Sequence, residues 1–185
     1  MGRIHSAPEA LLFQGITYSD EQVLQEVLSS LENEQGPVLA AAGPHDFSAR
    51  TDYYEKEMGR NLRKLYLLFS QRMTVEDSWQ YKLQSQALEA AFTEAGKRRV
   101  NIDPGLLTLY NFTLFSSKGF SHRIYLSLGI YSELTLLRKG GRWEKLPWTY
   151  PDYLDSTVLA LLDRGREELL GKKPRPDADT ILPSL

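Results

Sequence analysis

The chain has 185 residues, 42% hydrophobic and 11% aromatic, enough for one sizeable core, and its 22 basic and 24 acidic residues leave a formal charge of −2. That balance gives no bulk attraction to phosphate backbones or anionic membranes, so nucleic-acid binding is disfavoured. Cysteine is absent, which excludes disulfides and thiolate metal sites. The early apolar run is too short for a signal peptide, and no segment approaches the roughly 18 apolar residues of a membrane span, so the expectation is a cytoplasmic protein with no membrane partner.

"ALLFQGITYS" (10–19) is apolar and β-branched and reads as a strand. It runs into "SDEQ", where Ser19 or Asp20 can cap a helix with Val23, Leu24, Val27, Leu28 and Leu31 on one face. A Gly-Pro break and "VLAAAG" supply a second short strand, followed by a long polar excursion over 44–61 that shows neither helical nor strand period. "LRKLYLLFSQ" (62–71) predicts a third strand. The segment 74–99 predicts a long helix, capped by Thr74, stopped at Gly96 and burying Trp79, Leu83, Ala87 and Ala90. From residue 100 the period shortens to two until the prolines of "LPWTYPDY", after which residues 154–170 form a last amphipathic helix. The expected architecture is a single α+β domain over 1–170 with a polar flexible tail over 171–185. Its sheet is mixed or antiparallel with helices packed on it, compatible with a ferredoxin-like core extended by a C-terminal hairpin.

In "SHRIYLSLGIYSELTL" (121–136) the odd positions are polar or amphipathic and the even ones mainly apolar. A hairpin over Ser127, Leu128 and Gly129 keeps these sets on separate faces and sets Arg123 opposite Glu133 and Tyr125 opposite Tyr131. The bland account of that face is a solvated sheet surface with one exposed ion pair, worth a few tenths of a kcal/mol. His122 falls among the apolar positions and reads as a hydrogen-bonded core histidine before a catalytic base.

"TDYYEKEMG" (51–59), "RVNIDPG" (99–105), "SHRIYL" (121–126), "GIYSELTL" (129–136) and "LPWTYPDY" (146–153) together resemble the uncharacterised prokaryotic family catalogued as domain of unknown function 4416. The resemblance covers nearly all the chain from Leu11 to the last helix and implies no activity. Two positions depart from the family pattern. Gln86 stands where a helix Asn is usual, and Leu106 follows "DPG" where Tyr is usual, so a ligand touching either position would be held differently here. The guanine-nucleotide binding ascribed to some members finds neither a G-x-x-x-x-G-K-[ST] loop nor an Asn-Lys-x-Asp motif in this chain.

These motifs combine cations (Arg99, Lys118, Arg123, with Lys82) and acids (Asp52, Glu55, Asp103, Glu133, with Glu89) with aromatic flanks at Tyr53, Tyr54, Tyr125, Trp148 and Tyr150. A guanidinium fork grips an anion, carboxylates hold hydroxyls or Mg²⁺, and rings stack on a base or sugar. Asp103, Glu133 and His122 are the catalytic candidates, and Asp103 and Glu133 the candidate metal ligands. Against this stands a plain reading in which "DPG" is a turn and the charges are surface pairs. Three histidines without H-x-x-x-H spacing do not make a zinc site.

Two functions from different classes follow. One is a site for a small anionic, phosphorylated or nucleotide-like ligand, clamped by Arg123 and Arg99. The other is a non-enzymatic interaction module that uses exposed aromatics to bind a protein partner or a second copy of the chain. "GKRR" (96–99) is the densest basic cluster and raises RNA association as a third, weaker option.

Overall fold

Strand β1 (Glu9–Tyr18) is buried along almost its whole length because it is central in the sheet and covered on both faces. The computed structural model describes residues 3–49 and 55–172. Antiparallel β3 (Arg63–Thr74) lies on one side of β1 and antiparallel β6 (Val100–Leu107) on the other, with β2 (Val38–Asp46) outside β3. Helix α1 (Glu21–Gln35) joins β1 to β2 and helix α3 (Gln80–Ala91) joins β3 to β6. The order β6-β1-β3-β2 with these crossovers is the ferredoxin-like split βαβ arrangement.

Helix α1 starts where the sequence places it: the Asp20 carboxylate accepts the Gln22 and Val23 amides at 2.8 and 3.4 Å. The five apolar residues of its face pack with Leu12, Ile16 and Phe69, alongside Leu83 and Leu88 of α3. The opposite face of the sheet is covered by a 3₁₀ turn (Pro151–Leu154) and helix α4 (Ser156–Leu169), whose Val158, Leu161 and Leu162 pack with Leu11, Phe13, Leu68 and Leu107. A side-chain methyl at Gly165 would collide with Leu68 and Leu107, so this glycine sets how closely α4 approaches. Among the described residues no helix is long and apolar enough to cross a membrane.

Beyond β6 the sheet continues through β7 (Asn111–Ser116) to β9 (Ile130–Lys139). On the far side of β9, β8 (Arg123–Ser127) pairs along its first half and β10 (Arg142–Lys145) along its second. All these pairings are antiparallel, so the whole is an α+β fold on one large antiparallel sheet.

Several local expectations are corrected. Thr74 ends β3 rather than capping a helix, α3 begins only at Gln80, and a small hairpin, β4 (Thr93–Glu94) with β5 (Lys97–Arg98), replaces the predicted helix end. Ala87 and Ala90 are exposed, and the buried residues of α3 are Lys82, Ser85 and Glu89. A search for apolar period misses this face because it is polar. Strand β2 extends to Asp46, and a short helix α2 (Glu55–Met58) lies within the predicted loop.

The hairpin register is as read, with Arg123 opposite Glu133 and Tyr125 opposite Tyr131. The turn differs: Leu128 and Gly129 both have positive φ, and a bulge at Leu126 supplies the odd residue that keeps the parity. The solvated-face account fails at Glu133 and Thr135, although Tyr125 on the same face is 58% exposed. Glu133 is 2% and Thr135 0% exposed, whereas the apolar Ile124 on the other face of β8 is 71% exposed. "DPG" is the interior of β6 rather than a turn.

Candidate functional site

Strands β6 and β7 pair over only three positions, Gly105 to Leu107 against Phe112 to Leu114, and then part. The sequence of β6 explains the split. A side chain at Gly105 would collide with the Thr113 carbonyl, so only glycine lets β7 come this close. Pro104 has no N–H with which to extend the ladder. At Ile102 the outward N–H instead donates to Glu89 Oε1 (2.7 Å), and the carbonyl accepts from Lys82 Nζ (2.8 Å). Two buried side chains of α3 thus complete the main-chain bonding of a strand that has lost its neighbour.

The gap is a cleft of about 750 Å³. Its floor is Asn101 and Asp103 of β6 with Lys64 of β3. One wall carries Leu114, Ser116, Ser117 and Lys118 at the end of β7, with Arg123 and Glu133 of the β8–β9 hairpin. The other wall carries Lys82, Gln86 and Glu89 of α3, with Arg98 of β5 and Glu57 of α2. Phe47, Tyr150, Asp152 and Tyr153 close the near end.

Asp103 lies at the centre, its side chain 27% exposed. Its Oδ2 accepts from Asn101 Nδ2 (3.0 Å) and lies 3.9 Å from Lys64 Nζ, and its Oδ1 lies 3.8 Å from Lys82 Nζ. Both lysines are buried, at 4% and 7% exposure. Lys64 donates to Asp152 Oδ2 (2.8 Å), which also accepts the Tyr66 hydroxyl (2.9 Å), and its ammonium is 4.9 Å from the ring centroids of both Phe47 and Tyr153. Gly15 lies beneath the Lys64 stem, where a methyl would be in contact with both Lys64 and Tyr153.

Arg98 ties the far wall together. It forks onto Glu57 (2.6 and 2.8 Å) and also donates to Glu89 Oε2 (3.0 Å) and Asn101 Oδ1 (2.9 Å). The hydrogen bond to Glu57 raises the Arg98 pKa, and the same bond holds Glu57 below the ordinary carboxylate value. Glu89 moves the other way: burial raises its pKa against the opposing pull of Lys82, the Ile102 amide and Arg98.

At the hairpin, Glu133 Oε2 accepts from Arg123 Nε (2.7 Å) and lies 3.0 Å from His122 Nε2. Arg123 Nη1 donates to the Lys118 carbonyl (2.9 Å), bracing the loop after β7.

Of the candidates named from sequence, Asp103, Glu133, Lys118, Arg123 and Tyr150 line this cleft, with Lys82 and Glu89. Arg99 does not. It pairs instead with Asp20 at the start of α1 and with Glu94 of β4, and Arg98 occupies the position in the cleft. Tyr125 packs edge-on against Tyr131 on the exposed hairpin. Trp148 donates its indole N–H to the Leu134 carbonyl and stacks on His122 (4.6 Å), so neither ring lines the cleft, nor does His122. Asp52, Tyr53 and Tyr54 lie outside the described residues, as does the side chain of Glu55. Gln86 lines the cleft, whereas Leu106 is in the core.

The candidate metal ligands are poorly placed for that role. Asp103 faces two ammonium groups and Glu133 an arginine and a histidine. Among the described residues no three of His, Cys, Asp and Glu gather in a way that could hold a metal ion. The "GKRR" cations Arg98 and Arg99 are each paired with two acids, which weakens the case for a phosphate-binding surface there.

Sequence reasoning missed Lys64, Asp152, Arg98, Asn101 and the two serines. A signal for Lys64 was present, since a lone lysine inside an apolar strand is seldom buried unless paired. Its partner Asp152 is 88 residues away, and nothing in the sequence links the two.

No curated protein and no solved structure matches this chain. The model of one family, described as a domain of unknown function (DUF4416), matches residues 8–169, and the chain belongs to that family.

Proposed function

We propose that the cleft binds a small anionic molecule, phosphorylated or carboxylated, in the cytoplasm. One observation carries this reading: charged residues from β3, α3, β5, β6, the β8–β9 hairpin and the 3₁₀ turn converge on one open cleft, where two buried lysines flank a partly exposed carboxylate. Among the described residues Lys64 and Lys82 each make a single short hydrogen bond, although an ammonium carries three donors. Burying cations costs stability unless something accepts those protons, and a bound anion is suited to do so. Asp103 is placed to accept hydroxyl or amine hydrogens from the same ligand, and Tyr150 to pack against its body at the rim.

A thermal-shift screen of nucleotides, sugar phosphates, carboxylates and divalent ions tests this. Ligand at about a hundred times its dissociation constant adds about 2.7 kcal/mol of stability, a readily measured rise in Tm. A flat response to every anion would end the reading.

A second reading rests on a different surface. Phe120, Ile124, Tyr125 and Leu128 are exposed along and beside β8, an outer strand that among the described residues pairs only with β9. An apolar edge of this kind suits a protein partner or a second copy of the chain. Light scattering of the wild type and Ile124→Lys over a range of concentrations tests it. Concentration-independent monomers in both would remove the self-association form.

A further inference from the structure

We infer that the chain forms a dimer in which β8 pairs with β8 of a second copy, antiparallel about a two-fold axis at Tyr125, so that two eight-stranded sheets join into one. This rests on the second reading above, that the β8 edge is a contact surface, and it commits the partner and the geometry.

The other margins of the sheet are guarded. A strand edge with unbonded main chain invites another strand, and prolines, outward charges and bulges discourage it. On the far margin β2 carries Pro44 and two bulges. On the near margin β8 and β10 lie end to end along β9, and three of the four residues of β10, Arg142, Glu144 and Lys145, are charged. Between them the Leu134 and Thr135 carbonyls of β9 accept from the Trp148 indole (2.7 Å) and the Thr149 hydroxyl (2.6 Å). Strand β8 has a bulge at Leu126 but no proline, and its one charge, Arg123, is turned onto Glu133 and the Lys118 carbonyl.

The main chain at the centre of β8 faces outward. Arg123 donates its N–H to the Phe120 carbonyl (3.0 Å) rather than to β9, and main-chain groups alternate sides along a strand, so those of Tyr125 also point away from β9. Among the described residues no strand lies on that side. A two-fold axis at this residue lets each Tyr125 N–H donate to the Tyr125 carbonyl of the other copy. The bulge at Leu126 confines the regular ladder to the residues around the axis.

The side chains suit a copy of themselves. A two-fold contact sets a patch against itself, so a charge near the axis meets its own like. A quarter of the chain is charged, yet residues 124–132 carry no charge. Pairing sets Ile124 of one copy beside Leu126 of the other and covers Tyr125, all three exposed in the single chain. So few side chains fall below the roughly 800 Å² per partner of a stable interface, so the dimer is weak, with a dissociation constant on the order of 10–100 μM. Because the same hairpin carries Arg123 and Glu133, the contact braces one wall of each cleft.

Sedimentation equilibrium of the full chain from about 5 to about 500 μM tests the inference, with monomer expected at the low end and dimer at the high end. Ile124→Lys sets an outward charge on the edge and should weaken the dimer at least about tenfold. The chain has no cysteine of its own, so single cysteines report the register. Tyr125→Cys should give a disulfide-linked dimer on mild oxidation, because directly opposed residues of a hydrogen-bonded antiparallel pair have Cα atoms about 5.5 Å apart, within disulfide range. Leu128→Cys, also exposed but three residues from the axis in each copy, should stay unlinked.

A monomer at every concentration overturns the inference and gives the edge to another stretch of this chain or to a partner of different sequence. A dimer indifferent to Ile124→Lys overturns it together with the reading of β8 as the contact surface. If Ile124→Lys disrupts the dimer but Leu128→Cys links in place of Tyr125→Cys, the surface stands and the strand pairing is wrong. Circular dichroism of each variant separates loss of contact from loss of fold.

Discussion

The Glu89 carboxylate accepts the Ile102 amide at 2.7 Å, so a helix side chain does at this point what a neighbouring strand does elsewhere in the sheet. The cleft exists because of this substitution. Had β7 continued alongside β6, its main chain would fill the space where Asp103, Asn101 and the two lysines now meet.

Glu89→Ala should therefore be costly. It leaves a buried amide unsatisfied and removes one of the acids near Lys82, with an expected loss of about 1–3 kcal/mol in urea denaturation. Glu89→Gln keeps an oxygen for the amide and should lose clearly less. Equal losses would show that the Ile102 bond contributes little.

The same residue sets a pH dependence. Burial raises the Glu89 pKa above its ordinary 4.5, so its contribution favours the fold below pH 4.5 and is lost as pH rises through the raised value. Glu57 is lowered by Arg98, so its contribution is present above pH 4.5 and lost as pH falls through the lowered value. On acidification from pH 7, the Tm of Glu89→Gln should fall relative to wild type, whereas that of Glu57→Gln should approach it. Parallel curves for the two variants would contradict these opposite signs.

Gly105 tests the geometry of the split. Gly105→Ala drives a methyl group into the Thr113 carbonyl and should cost about 1–3 kcal/mol or more. Pro104→Ala restores an N–H where the ladder to β7 has already ended and should stay within about 1 kcal/mol. Chemical denaturation of both variants against wild type checks the contrast.

Arg123→Ala removes the main partner of a carboxylate that is nearly inaccessible to solvent, rather than an exposed surface pair. A loss of about 3 kcal/mol is expected, with His122 left as the remaining partner of Glu133. Adding Glu133→Leu should recover much of that loss, because the stranded charge is then gone. A double variant as unstable as the single one would mean that Arg123 acts through packing.

Much of the fold was legible because local physics writes it into short stretches. The Asp20 cap, the face of α1, the alternation of the hairpin and the prolines around the 3₁₀ turn each involve neighbours in sequence, so their periods and turn residues can be read directly. Even there, parity showed which hairpin residues share a face but not which face is buried, since that depends on what covers the sheet.

The cleft was legible only in part, for a related reason. Asp103, Lys118, Arg123, Glu133 and Tyr150 stand in recognisable motifs, yet motif membership could not separate Arg98, which turns inward, from Arg99, which turns outward. Lys64 meets Asp152 and Arg98 meets Glu57 across 88 and 41 residues of chain. Helix α3 buries Lys82, Ser85 and Glu89 where apolar residues would be expected. A buried charge is tolerable only beside its partner, and which partners meet is settled when the sheet parts between β6 and β7. The sequence by itself determined most of the strands, the first and last helices and the residue types able to bind an anion, because those follow from neighbours along the chain. Only the tertiary structure decided which of those residues share one cleft, because their pairing energies arise from contacts between segments distant in sequence.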